Sequence, residues 1–281
     1  MLSVAALAVG ASLVASALGT PGPPLSIAAL GGPISAGACT DASCADRPEN
    51  SWSTGTNPAV RSHRLRLRAL IRGLRGPGSE RFRRPIRAYT LATSRFRTVA
   101  DLEPQVRQAV TRPWRYATVD LGVGDLCGDT PLGTFRAKLK RALTVLAEPA
   151  QFEVDGLDPQ VGREVLVLSI EDLGRHWQVL RADPGSVRAL KAGQRLDCGL
   201  GYSVTPARLA QIRKRTIALN EAIARVCFRI GCLYDAGVRF RMPLRASYFS
   251  TTDPRYLSVE GQRALAAAEW KPAFALIRAG S

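Results

Sequence analysis

Histidine is nearly missing from this 281-residue chain: His63 and His176 are its two imidazoles. Chemistry that needs a side chain titrating near neutral pH therefore has two ordinary candidates. Acidic residues are also in short supply, 23 Asp and Glu against 39 Lys and Arg, for a formal net charge of +16. The excess is nearly all arginine, a charge that attracts nucleic acid, anionic lipid or acidic glycan, or forms a plain solvated surface. Zinc-finger spacing and an aromatic–basic RNA signature are both absent, so no specific nucleic-acid partner is expected. Neither local cysteine pair is Cys-x-x-Cys, and neither has the histidine partners of a zinc site. No Lys or Arg precedes Arg47, so the apolar amino-terminal stretch has no basic flank.

That stretch still has the other marks of a secretory signal. Met1 to Gly19 carries no charge, Ala15-Ser16-Ala17 fits a small-x-small cleavage site, and Pro21, Pro23 and Pro24 follow. The expected organisation is a signal peptide over 1–20 and a single domain over 21–281. A secreted or cell-envelope location follows, and the six cysteines agree with it as structural disulfides. Six thiols allow several pairings, and sequence alone does not choose between them. Pairing in sequential order gives Cys39–Cys44, Cys127–Cys198 and Cys227–Cys232.

Hydrophobic content of 46% and the chain length allow one substantial core. Short apolar runs alternate with helical patterns. Leu25–Leu30, Ile86–Leu91, Tyr116–Leu121, Glu164–Ile170 and a stretch within Leu233–Phe240 read as strands. Helical faces recur at Val60–Leu74, Val99–Val110, Phe135–Leu146, Pro206–Cys227 and Ser258–Trp270, with Thr205 or Ser203 and Ser258 as candidate caps. Gly73 to Pro85 reads as a surface loop. Strands separated by helices predict an α/β fold, a three-layer doubly wound sandwich with a parallel sheet. Sites in such sheets lie at the carboxyl ends of strands, here near Leu30–Pro33, Ala92–Arg95, Gly122–Asp125 and Ile170–Asp172.

Several segments carry a family likeness together. Gly122-Val123-Gly124-Asp125-Leu126-Cys127 has the frame of Gly-x-Asn-Asp-Leu-Cys. Ser26–Gly31 matches the strand leading into Gly-Asp-Ser. Ser51-Trp52-Ser53-Thr54-Gly55, Ser62-His63, Ala218–Ala224 and Tyr234-Asp235 add to it. Asp253-Pro254-Arg255-Tyr256-Leu257-Ser258 overlays Asp-x-x-His-Pro-Ser. In these segments the chain resembles the secreted, disulfide-containing branch of the SGNH (GDSL) esterases and lipases.

The resemblance implies a serine nucleophile, an oxyanion site made by a backbone N–H, a glycine N–H and an Asn side chain, and a His base oriented by Asp. The matching positions are Pro33, Arg95, Gly124, Tyr256 and Asp253, and only Asp253 is retained. Proline has no hydroxyl and no N–H. A phenol does not shuttle protons as imidazole does. Loss of the nucleophile or base from a serine triad costs about 10⁶ in turnover, so ester hydrolysis by the family route is expected to be absent. A retained cleft would bind lipid, acyl ester or anionic envelope glycan, with Arg95 and Tyr256 as candidate ligand contacts. A membrane-surface partner and a monomeric state are also expected, and no cofactor.

Replacement chemistry has few places to go. Ser35 would be a substitute nucleophile, although its position suits the start of a helix. His63 reads as an oriented surface or interface side chain of a basic helical segment, and His176 as peripheral packing in a loop after Asp172. Asp125, Asp129 and Asp172 lack a convergent metal-ligand spacing, so no metal is expected. Glu171-Asp172, near the expected pocket rim, could form a carboxylate pair with Asp253 for acid–base work on a glycoside.

Overall fold

Ser-Ile-Ala-Ala-Leu-Gly forms the first strand, β1 (Ser26–Gly31), buried along its whole length. It lies inside a five-stranded, wholly parallel sheet in the order β2-β1-β3-β4-β5. The other strands are β2 (Arg87–Thr90), β3 (Tyr116–Asp120), β4 (Glu164–Val167) and β5 (Leu233–Tyr234). The computed structural model describes residues 24–73, 85–149 and 163–279. The expected signal at 1–20 and most of the loop expected at 73–85 lie outside the described residues. β3 and β4 are also fully buried, as parallel strands covered on both faces must be.

The helices are α1 (His63–Gly73), α2 (Leu102–Val110), α3 (Val123–Cys127), α4 (Leu132–Ala147), α5 (Leu173–Ala182), α6 (Pro184–Lys191), α7 (Pro206–Ile230), α8 (Val238–Arg241) and α9 (Val259–Ala279). They cover both sides of the sheet. None of the described helices is long and apolar enough to cross a membrane. α2, α4 and α7 stack on one another, with α2 against β1. α9 packs against β4, and its Trp270 meets His63 of α1 edge-on at 5.3 Å.

Local chemistry explains the helix ends. The Thr205 hydroxyl accepts from the Arg208 N–H, Pro206 starts α7, and Gly231 ends it in the left-handed conformation. The Ser258 hydroxyl accepts from the Gly261 N–H at 3.1 Å, as its position predicts. α5 and α6 are additions to the sequence reading. Asp172 caps the first through the Gly174 and Arg175 N–H groups. Asp183 caps the second, with Pro184 in its first turn. That Asp-Pro pair is a start signal the apolar pattern alone does not display.

The last strand, Leu233–Tyr234, lies within the stretch expected to hold it, and Val238–Arg241 beyond it is helical, because Gly237 turns the chain through a left-handed conformation. Three expectations are corrected here. Ser35 starts no helix; residues 33–39 form successive turns. His63 and His176 are both buried, and His176 belongs to α5. The three disulfides are those of sequential pairing: Cys39–Cys44, Cys127–Cys198 and Cys227–Cys232.

Candidate functional site

In this strand order the chain leaves β1 toward β2 on one side and returns to β3 on the other. That reversal opens a crevice at the carboxyl ends of β1 and β3. Gly31 makes the crossing possible: its φ is +110°, and a side chain there would overlap the Asp120 backbone. The Gly32 N–H then donates to the Asp120 carbonyl at 2.9 Å. A cleft of about 240 Å³ lies over this point. Gly32, Pro33 and Ile34 border it from β1, Phe96 and Arg97 from beyond β2, and Asp120 to Gly124 from β3. Glu171 joins from beyond β4, and Asp197, Arg239, Arg255 and Tyr256 close the circle.

Pro33, Gly124 and Tyr256 therefore converge on one cleft. Arg95 is exposed and does not line it. A turn held by the Phe96 N–H to the Thr93 carbonyl, 3.1 Å, aims the next two residues inward instead. Gly124 is not an empty slot: a Cβ there would overlap the backbone carbonyl of Arg97. The retained Asp253 does not line the cleft either. Its carboxylate accepts from Arg255 Nε and Nη2, at 3.0 and 2.5 Å, and so fixes that guanidinium at the cleft wall. Burial raises the Tyr256 phenol above its ordinary range, with Arg255 opposing, so the hydroxyl keeps its proton.

The floor is ionic. Arg239 Nη1 donates to the Asp120 carboxylate, and Arg239 Nη2 lies 3.9 Å from Glu171 Oε2. All three side chains are buried. Burial disfavours the Arg239 charge, but Asp120 and Glu171 more than offset it and hold its pKa up. Glu171 Oε1 meets His176 Nδ1 at 3.3 Å, and His176 Nε2 faces the Pro254 carbonyl at 2.9 Å. Burial raises the Glu171 carboxyl, yet the His176 hydrogen bond and the His176 and Arg239 charges bring it below its usual value. The Asp197 carboxyl is pushed up to about 6, by burial first and then by Glu171. The Cys127–Cys198 disulfide, also at the wall, ties the Asp197 turn to α3.

No Ser, Thr or Lys side chain, imidazole or free thiol lines this cleft among the described residues. Ser35 is fully buried, and its hydroxyl accepts from the Trp52 indole N–H at 3.0 Å. His63 opens α1 with its side chain buried and Nδ1 2.9 Å from the Tyr116 hydroxyl, and burial drives its pKa down to about 3. His176 stacks on Phe249 behind Glu171.

The other carboxylates are occupied separately. Asp125 accepts from the Val99 N–H at 2.8 Å, Asp172 caps α5, and exposed Asp129 lies 3.5 Å from Arg215. Among the described residues, Cys39, Cys44 and Asp253 group closely enough for a metal, but both sulfurs are in one disulfide. Sequence reading misses Asp120, Asp197 and Arg239. Asp120 ends an apolar strand, which is a usable signal. Its partner Arg239, 119 residues away, has none.

No family model and no curated protein matches the chain. Solved structures do. A catalytic mutant of an acetylxylan esterase from Geobacillus stearothermophilus is similar to it with a TM-score of 0.50 at 12% identity, over 90% of this chain and 95% of that one. A carbohydrate acetylesterase family member from Sinorhizobium meliloti has a TM-score of 0.46 at 12% identity, over 90% and 98%. The resemblance read from the sequence motifs holds at the level of fold: the chain has the SGNH-type α/β sandwich.

Proposed function

We propose that this is an exported protein of esterase fold that performs no serine-based ester hydrolysis and uses the β1/β3 cleft to bind a sugar unit of an envelope glycan, acylated or free. The observation that supports the first half is the cleft lining: Pro33, Gly124 and Tyr256, which the sequence resemblance matches to nucleophile, oxyanion donor and base, all border it. The disulfides support export. The lining supports the ligand class. Phe96, Ile34 and Leu121 offer apolar surface, and Asp120, Glu171, Asp197, Arg239 and Arg255 offer charged groups in the same cleft. A sugar ring pairs one apolar face with a hydroxyl edge. The volume of about 240 Å³ is below that of a drug-sized pocket, roughly 300–1,000 Å³, and fits such a unit better than a long acyl chain. Tyr256, Arg97 and Arg255 are the wall contacts in this reading, with Arg95 outside it.

The test pairs turnover with binding on disulfide-intact protein. Hydrolysis of p-nitrophenyl acetate and of acetylated oligosaccharides should stay at the background rate, with no labelling by a fluorophosphonate. Pro33→Ser alone should restore nothing, since Gly124 and Tyr256 remain. Calorimetric titration with glycan fragments should give saturable binding that Tyr256→Ala weakens. Inhibitor-sensitive turnover that is lost in Ser35→Ala would overturn the reading.

Binding should also depend on pH. Ligand hydroxyls donate to the ionised Asp197, and that acceptor is lost as pH falls through about 6. Hydrogen bonds to charged groups contribute roughly 1.5–3 kcal/mol, so affinity should drop about tenfold between pH 7 and 5. Asp197→Asn should flatten this profile. A wild-type profile that is already flat rules out the role for Asp197.

A further inference from the structure

We propose that the outer face of α4 and α7 docks onto an anionic lipid membrane, with lipid phosphates seated between the helices and Phe228 entering the acyl boundary. The site shares no lining residue with the β1/β3 cleft, so it stands or falls independently of the glycan reading.

The cationic part is a shallow cavity of about 150 Å³ between the two helices. Gly133, Arg136 and Lys140 line it from α4, and Arg225, Val226 and Arg229 from α7. Arg136, Lys140, Arg225 and Arg229 are exposed or partly exposed, and no carboxylate lines the cavity among the described residues. Glu221, bridged to Arg225 at 2.6 Å, is the one acidic side chain on either helix; all their other charges are Lys or Arg. Gly133 leaves open space above its Cα, where a side chain would partly fill the entrance. A cluster of cations around a small hollow is complementary to a phosphate, with Arg as its geometric partner.

The apolar part separates a membrane from a soluble polyanion. Phe228 is 91% exposed, the extreme among the large hydrophobic side chains of the described residues. Ile217, 41% exposed, stands eleven residues earlier, three turns along the same line of α7. Leu132, 42% exposed, lies beside the α4 end of the cavity. Phe228 is held firmly: the Cys227–Cys232 disulfide and the left-handed Gly231 fix the last turn of α7. A polyanion would use the arginines and leave these side chains in water. A membrane uses both, the cations at the headgroups and the aromatic ring just below them.

The experiment is co-sedimentation of the disulfide-intact protein with phosphatidylcholine vesicles, and with vesicles in which part of that lipid is replaced by phosphatidylglycerol. Binding is expected to the anionic vesicles only, and to weaken with added salt. The paired substitution Arg136→Gln with Arg229→Gln should reduce it at least tenfold at low salt, since each basic residue near a charged surface is worth about 1 kcal/mol. Phe228→Ser should reduce it roughly tenfold, as removing one buried aromatic contact does. Phe228→Trp should retain binding and give a blue-shifted indole emission on vesicles. All these positions face solvent, so circular dichroism and thermal melting should be unchanged. Equal binding to both vesicle types overturns the proposal. So does an indole emission from Phe228→Trp that vesicles leave unshifted. Binding to soluble polyphosphate that matches the vesicles, with no effect of Phe228→Ser, overturns it in favour of a polymer.

Discussion

Replacing Gly124 with asparagine, the residue the family frame calls for, is expected to destabilise the protein by roughly 3 kcal/mol or more and to restore no ester hydrolysis. The reason is space. A Cβ at Gly124 would overlap the Arg97 carbonyl oxygen, a backbone atom that cannot swing aside like the end of a flexible side chain. The segment carrying that carbonyl is anchored on either side. Phe96 is buried, the Arg97 and Thr98 N–H groups both donate to Asp101 at 2.8 Å, and the Val99 N–H donates to buried Asp125 at 2.8 Å. Since the conflict begins at Cβ, Gly124→Ala should show most of the loss. Denaturant midpoints of the two variants decide it. An unchanged midpoint for Gly124→Ala would show that the 95–98 segment yields freely, and that the asparagine place is open. The expected outcome would mean that no side chain fits at this position: the Arg97 backbone fills the space beside Gly124.

Glu269→Gln is expected to stabilise the protein, by roughly 2–3 kcal/mol at pH 7. Glu269 is fully buried on α9, and its pKa is pushed up to about 10, by burial first and then by Asp235. Asp235 accepts from the Ser169 hydroxyl at 2.8 Å, from the Gly237 N–H at 2.8 Å and from the Arg239 N–H at 3.1 Å. Beside it Glu269 is stable only with its proton, as a donor. The unfolded chain releases that proton above about 4.5, so folding requires its uptake at neutral pH. Stability from this group is therefore highest below about 4.5 and falls as pH rises toward 10. At pH 7 the uptake costs about 3 kcal/mol, from about 1.36 kcal/mol per pH unit above 4.5. Glutamine keeps the shape and the donor with no proton to take up. Melting curves for the two proteins should converge near pH 4 and separate as pH rises. Parallel curves with no pH-dependent gap would show that Glu269 is not held protonated.

Some of the site is readable without the fold. The strand ends near residues 33, 95, 124 and 171 all lead to the cleft rim, because parallel strands deliver their carboxyl ends to one edge of the sheet. Within that frame the sequence reading fails by small rotations. Arg95 falls at the family position, while the turn at Thr93–Phe96 brings Phe96 and Arg97 to the cleft. Asp253 matches the orienter of a base, while its carboxylate holds Arg255. His63 reads as a surface or interface residue amid arginines, yet a helix with basic flanks still turns one face inward every three or four residues. The Asp120–Arg239 contact has no sequence signature, because nothing local reports the partner of a charge 119 residues away.

By itself the sequence determined the strand–helix alternation, the parallel sheet, the helix caps at Thr205 and Ser258, and the residue types, Pro33, Gly124 and Tyr256, that stand where the resemblance calls for serine, asparagine and histidine. These depend on side-chain identity and on periodicities of about two and 3.6 residues, which are local properties. Only the tertiary structure decided the pairing of the cysteines, the ionic floor of Asp120, Arg239 and Glu171, the burial of both histidines, and the closing of the space beside Gly124 by the Arg97 backbone. Each of those is a meeting of residues far apart in the chain, set by how the layers pack, and packing is the one thing that the order of residues specifies without displaying.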